Sequence, residues 1–163
     1  MTLSILEKPR EGVADALRAA LSLAGRDTRV VTRPESVCPL MVVAPEYEFR
    51  PRARYGVCGI LLLPDGTACP GIAAREVVTY GMSPRASLTL SAIGETTCVL
   101  ALQRELVTLG GLVLEQEELE IPADASPERA LCLAGAALLL GLTLPGRAYI
   151  SANISLGRNG NRV

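Results

Sequence analysis

The run Val57–Leu63 constrains this chain most. It reads Val-Cys-Gly-Ile-Leu-Leu-Leu without a charge, and Pro64-Asp65-Gly66 turns the chain directly after it. A short continuous apolar stretch closed by turn formers suits a strand covered on both faces, which puts it in the middle of a sheet. A second such run, Glu76-Val77-Val78-Thr79-Tyr80-Gly81, follows. Upstream, Leu3–Leu6 opens as a short strand, and Val13, Leu17, Ala20, Leu21 and Ala24 fall on one face of a helix that Gly25 stops. Arg29–Thr32 and Leu40–Ala44 continue as β-rich runs. Strand, helix and strand in this rhythm predict a mostly parallel sheet.

Between these runs, Pro45–Tyr55 is polar and irregular, with Arg50, Arg52 and Arg54 alternating around Pro51. Three arginines can hold a phosphate or carboxylate bidentately, but the simpler expectation is a solvated surface loop. Ala68–Arg75 predicts a short helical segment. After Gly81 the pattern changes. Ser87–Ile93 alternates strictly, Thr97–Glu105 runs back, and Gly110-Gly111 marks a further hairpin before a third strand over Leu112–Ile121. That third strand carries Glu115, Glu117 and Glu118, expected as a solvated edge and not a metal site. Ser126 caps the last helix, with Pro127 in its first turn. The expected fold is therefore α/β: a Rossmann-like three-layer, mostly parallel sheet with a three-stranded antiparallel extension and a buried C-terminal helix. Residues 1–145 form a single domain, and 146–163 a flexible tail.

Composition removes several functions. The net charge is −1, and the aromatics are Phe49 and four tyrosines, so neither the basic surface nor the stacking platforms of a nucleic-acid binder are expected. Histidine is absent, which excludes Ser–His and Cys–His nucleophiles, histidine general bases and histidine-ligated metals. Lys8 is the one lysine. The five cysteines (Cys38, Cys58, Cys69, Cys98, Cys132) include no C-x-x-C pair, which suits reduced thiols in the cytoplasm. A nucleophilic Cys58 or Cys69 would need activation by arginines or a helix amino end. The longest uncharged apolar run, Ala130–Leu142, makes a helix of roughly 20 Å, too short for a membrane core of about 30 Å. It is expected in the core or shared across a homodimer interface.

The order of these segments resembles the central domain of the Mur ligases and their folylpolyglutamate synthase relatives. The likeness rests on Gly59–Gly66, on Val77-Val78-Thr79-Tyr80-Gly81, on the strands from Ser87 to Ile121 and on a helix closing with Leu140-Gly141-Leu142. It implies an opening strand, a phosphate loop with its helix, and ATP-dependent ligation. Glu7-Lys8-Pro9-Arg10-Glu11-Gly12 stands where the family has G-T-x-G-K-[ST], and it offers neither the small residues nor a lysine placed after a glycine. The family's H-N-x-x-N element has no counterpart, and its substrate and carboxy-terminal domains are not expected within 163 residues. No catalytic residue carries over.

The functional expectation is accordingly a non-catalytic relative that binds a ligand or partner, without cofactor or metal. The alternative is a small-molecule (anion or nucleotide) binding protein or modest enzyme with its site at the carboxyl ends of the strands. There Asp65, Thr79, Tyr80, Ser83 and Arg85 supply polar groups, with Lys8 and Arg10 facing them from the first strand–helix turn. Asp-Gly and Ser-Pro are also ordinary turn formers, so each of these residues has a structural reading beside the functional one.

Overall fold

The computed structural model describes residues 1–69 and 71–144. In chain order the elements are β1 (Thr2–Leu6), α1 (Val13–Leu23), β2 (Arg29–Val31), β3 (Val37–Val43), β4 (Gly56–Pro64) and β5 (Ile72–Tyr80). There follow β6 (Leu88–Ile93), β7 (Thr97–Leu102), β8 (Leu106–Val107), β9 (Val113–Leu114), β10 (Glu118–Pro122) and α2 (Pro127–Leu139). Eight strands form one sheet in the order β2-β1-β3-β4-β5-β6-β7-β10. Neighbours from β2 through β6 run parallel, and β6, β7 and β10 run antiparallel. The fold is the α/β class expected, with β4 inside the sheet and the antiparallel extension at one end.

Two local expectations give way to pairing. Ala68–Arg75 is not a helix, because β5 starts at Ile72 and pairs with β4 from Gly56↔Ile72 to Pro64↔Tyr80. A weak helical preference loses to the ladder bonds and burial that a long central strand offers. The third extension strand is divided. Val113–Leu114 pairs with Leu106–Val107 in a separate hairpin, and only Glu118–Pro122 joins β7. Glu118 and Glu120 are exposed on that edge strand, and no group of acidic or sulfur ligands suited to a metal occurs among the described residues.

Both helices lie on one face. Val13, Ala14, Leu17 and Leu21 of α1 and nearly every residue from Ala130 to Leu140 pack there against Leu3, Ile5, Leu40, Val42, Ile60, Leu62, Val78 and Tyr80. A side chain at Gly135 would stand 2.6 Å from Leu88 Cδ1 and 3.3 Å from Leu62 Cδ2, so the missing Cβ lets α2 lie close on the sheet. The Ser126 hydroxyl accepts from the Arg129 amide (3.1 Å), the cap its sequence predicts. Most of what α2 buries is thus used inside the protomer, and Leu133 is one of the few apolar side chains it leaves half-buried. Among the described residues no helix is long and apolar enough to cross a membrane. The expected tail, 146–163, lies outside the described residues.

The opposite face is covered by coil. The chain leaves β1 to one side through α1, then moves to the other side of β1 at β3, and right-handed connections made in opposite directions cross opposite faces. The β3–β4 connection accordingly lays Tyr47, Phe49 and Tyr55 over Leu6, Met41, Val43, Leu61 and Leu63. Cys38 and Cys58 join this cluster because strand pairing steps over the row of Pro39 and Gly59, passing from Cys38↔Cys58 to Leu40↔Ile60. Pro39 has no amide to give the ladder, and the side-chain alternation slips at that row.

Candidate functional site

The turn from β1 into α1 is closed by the chain's own groups. Gly12, at φ +75°, is the cap residue of α1 and brings no side chain to it. The Glu7 carboxylate does so instead: its Oε2 accepts from the Val13 amide at 2.7 Å and the Ala14 amide at 3.2 Å. Glu11 accepts from the Lys8 amide (3.0 Å) and, through its other oxygen, from the Glu46 amide (2.9 Å). Arg129 reaches across from α2, donating to the Glu11 and Gly12 carbonyls at 3.1 and 2.9 Å while paired with Asp124. Free amides at a helix start attract anions. Here a carboxylate already takes two of them, and an incoming phosphate would meet its negative charge.

The seven candidate residues separate in space. Lys8 forms an ion pair with Glu48 (Nζ–Oε1 3.0 Å), and that bond raises its ammonium pKa. Arg10 is exposed in a left-handed backbone conformation, φ +69°. The others surround the β4 and β5 ends and hold one another. Asp65 donates its amide to the Tyr80 carbonyl (2.8 Å), and Thr79 and Ser87 exchange amide-to-hydroxyl bonds at 3.1 and 3.2 Å. Ser83 accepts from the Arg85 amide (3.2 Å), and the Arg85 carbonyl accepts from Arg104 (2.8 Å). Tyr80 is fully buried and donates its hydroxyl to the Val43 carbonyl at 2.7 Å. Burial drives its phenol pKa far upward, with Cys132 adding to the shift.

Lys8 is the one of the seven that lines a cleft of about 730 Å³ on the coil-covered face. The segment after β2 crosses β1 there, fastened by the buried Ser4 hydroxyl, which donates to the Arg33 carbonyl at 2.7 Å. This crossing forms one wall and the β3–β4 connection the other. Four cationic side chains (Lys8, Arg33, Arg50, Arg54) line the cleft against two carboxylates, Glu7 and Glu48. Arg33 pairs with Glu35 at 3.4 Å, whereas the guanidinium groups of Arg50 and Arg54 have no hydrogen bond or ion pair among the described residues. Tyr47 and Phe49 meet edge-to-face at 5.3 Å, as do Phe49 and Tyr55 at 5.0 Å. The Tyr55 hydroxyl accepts from the Arg50 amide at 2.7 Å. Burial, with a hydrogen bond from the Tyr47 hydroxyl to Tyr55, pushes the Tyr47 phenol up to about 12.

This cleft falls on the segment that sequence patterning treats as a solvated loop. Its trace in the sequence is the apolar–charged alternation of Tyr47, Phe49 and Tyr55 with Glu48, Arg50 and Arg54, a pattern with one side to bury and one to present. Three of the five thiols are buried in surroundings that disfavour a thiolate. Burial pushes Cys58 up to about 11 and Cys132 up to about 12, and it raises Cys38 as well, the reverse of what thiolate chemistry needs.

Together these features define a class: an α/β sheet domain whose helix-start amides are taken from within and which carries an arginine-lined cleft at the carboxyl ends of β1 and β3. Compared with protein-family models, curated proteins and solved structures, the chain matches none.

Proposed function

We propose that this chain is a non-catalytic α/β binding domain of the Mur-ligase central-domain type, which has given up nucleotide chemistry and acts by holding a ligand or partner. The observation that carries this is the Glu7 carboxylate on the Val13 and Ala14 amides, in the place a nucleotide phosphate needs. Further support comes from the order of elements: an opening strand and helix, a central apolar strand ending at Asp65, a strand ending in Thr79-Tyr80-Gly81, an antiparallel extension and an Ala/Leu-rich helix. The absence of histidine and the use of Lys8 in an ion pair leave little for phosphoryl transfer. Cytoplasmic residence belongs to the same proposal and agrees with five free thiols. A homodimer through α2 would have to use the stripe around Leu133, since the rest of that helix is packed inside the protomer.

The test is a thermal-shift titration with ATP and GTP at millimolar concentration, each with and without Mg²⁺. A ligand at 100 times its Kd stabilises the folded state by about 2.7 kcal/mol, which moves the melting temperature visibly. No shift with any of the four is expected. A saturable, Mg²⁺-dependent shift would return the protein to nucleotide chemistry.

A further inference from the structure

We propose that the cleft over β1 binds a small molecule carrying one phosphate or carboxylate group on a flat apolar body. The proposal deepens the binding reading above and rests on it. Place is the first ground. The chain moves to one side of β1 at β2 and to the other at β3, so the sheet order reverses between β1 and β3, and the cleft lies beyond the carboxyl ends of β1 and β3. Open α/β sheets bind ligands at such reversals, beyond the carboxyl ends of the strands. A volume of about 730 Å³ suits a small molecule and not a polymer strand.

Charge is the second ground. The protein as a whole carries −1, yet the cleft gathers four cations against two carboxylates. Both carboxylates are committed: Glu7 to the α1 amides and Glu48 to Lys8. Arg33 is committed to Glu35. Arg50 and Arg54 remain, two guanidinium groups with no hydrogen bond or ion pair among the described residues, and both line this cleft. Arg52 between them has a left-handed backbone, φ +62°, and does not line the cleft, so the turn at 50–53 presents its two flanking arginines together. Two guanidinium groups lining one cleft suit the planar oxygens of a carboxylate or the face of a phosphate. The third ground is the wall they stand on: Tyr47 and Phe49 are half-buried and held edge-to-face, a rigid surface for a flat apolar group.

The experiment is a titration of the amide and arginine side-chain N–H signals by NMR, with phenyl phosphate, benzoate and inorganic phosphate as probes. Phenyl phosphate or benzoate should give saturable shifts confined to the cleft walls, residues 7–8, 32–33 and 47–55, and to the Arg50 and Arg54 side chains, and the tighter of the two identifies the anionic group. Inorganic phosphate should bind at least tenfold more weakly for want of an apolar body. In the R50Q/R54Q variant, whose substitutions are exposed, the melting temperature should hold while affinity for the better probe falls at least tenfold. Absence of saturable shifts, equal affinity for inorganic and phenyl phosphate, or unchanged affinity in the variant overturns the proposal. Shifts centred on the Val13 and Ala14 amides would instead show that Glu7 does not close the helix start, and would sink the binding-domain reading as well.

Discussion

Glu7 leaves the end of β1 and takes two of the amides that α1 cannot satisfy for itself, a duty that a residue at the cap position usually performs. Because Gly12 has no side chain to offer, the helix depends on this longer reach. Glu7→Ala is expected to lower stability by about 1 kcal/mol, as loss of a capping group does. Glu7→Gln keeps an acceptor oxygen but loses the charge that complements the helix dipole, so it should fall between the two. Urea denaturation of the three proteins checks this, and an alanine variant as stable as the parent would remove Glu7 from its assigned role. A carboxylate in place of a phosphate loop was legible only as an absence: the run Glu7–Gly12 shows what cannot bind there, whereas the occupant is fixed by the bend at Gly12. Tyr80 shows the same limit. Its position at a strand end marked it as a ligand candidate, but the carbonyl it satisfies belongs to Val43, far away in the chain, and becomes its neighbour only after β3, β4 and β5 align.

At the scale of elements, the segments that declared themselves were those whose local chemistry and packing agree. α2 has its cap, its Pro127 and its apolar length in the sequence, and it forms as expected. Ser126→Ala should cost about 1 kcal/mol in chemical denaturation, since the Arg129 amide would lose its acceptor. Because Arg129 also holds the Glu11 and Gly12 carbonyls, loss of the cap should also broaden or shift the NMR signals of the α1 turn. Signals at residues 11–14 that do not move would show that the two helix starts are independent. Ala68–Arg75 failed as a helix for the opposite reason. Its preference was slight, and β4 needed a full-length neighbour along its far edge. The β3–β4 connection was hidden by composition: arginines and prolines made it look solvated, while the aromatics that pin it to the sheet are few and spread over nine residues, Tyr47 to Tyr55.

Across the whole molecule, the sheet buries several acidic hydrogens, and burial outweighs the pull of Arg50 on Tyr47 and of Arg129 on Cys132. In the unfolded chain a thiol ionises near pH ~8.5 and a phenol near ~10. In the folded protein burial holds Cys58 up to about 11, Cys132 and Tyr47 up to about 12, and Cys38 and Tyr80 above their ordinary values. Above pH ~8.5 the unfolded state therefore releases protons that the folded state keeps. With fewer protons on the unfolded state, stability falls as pH rises; below that point these groups are protonated in both states and contribute no slope. The loss should begin near pH 8.5 and steepen through pH 10 as the phenols join, each group adding at most about 1.4 kcal/mol per pH unit. Urea denaturation under reducing conditions at pH 7.5, 9 and 10.5 measures it. The C58A/C132A variant, though less stable at neutral pH through lost packing, should show a shallower decline over the same interval. A parent protein with equal stability at pH 7.5 and 10.5 would mean that these thiols and phenols reach water, and with them that the layers over both faces of the sheet open far more readily than their packing implies.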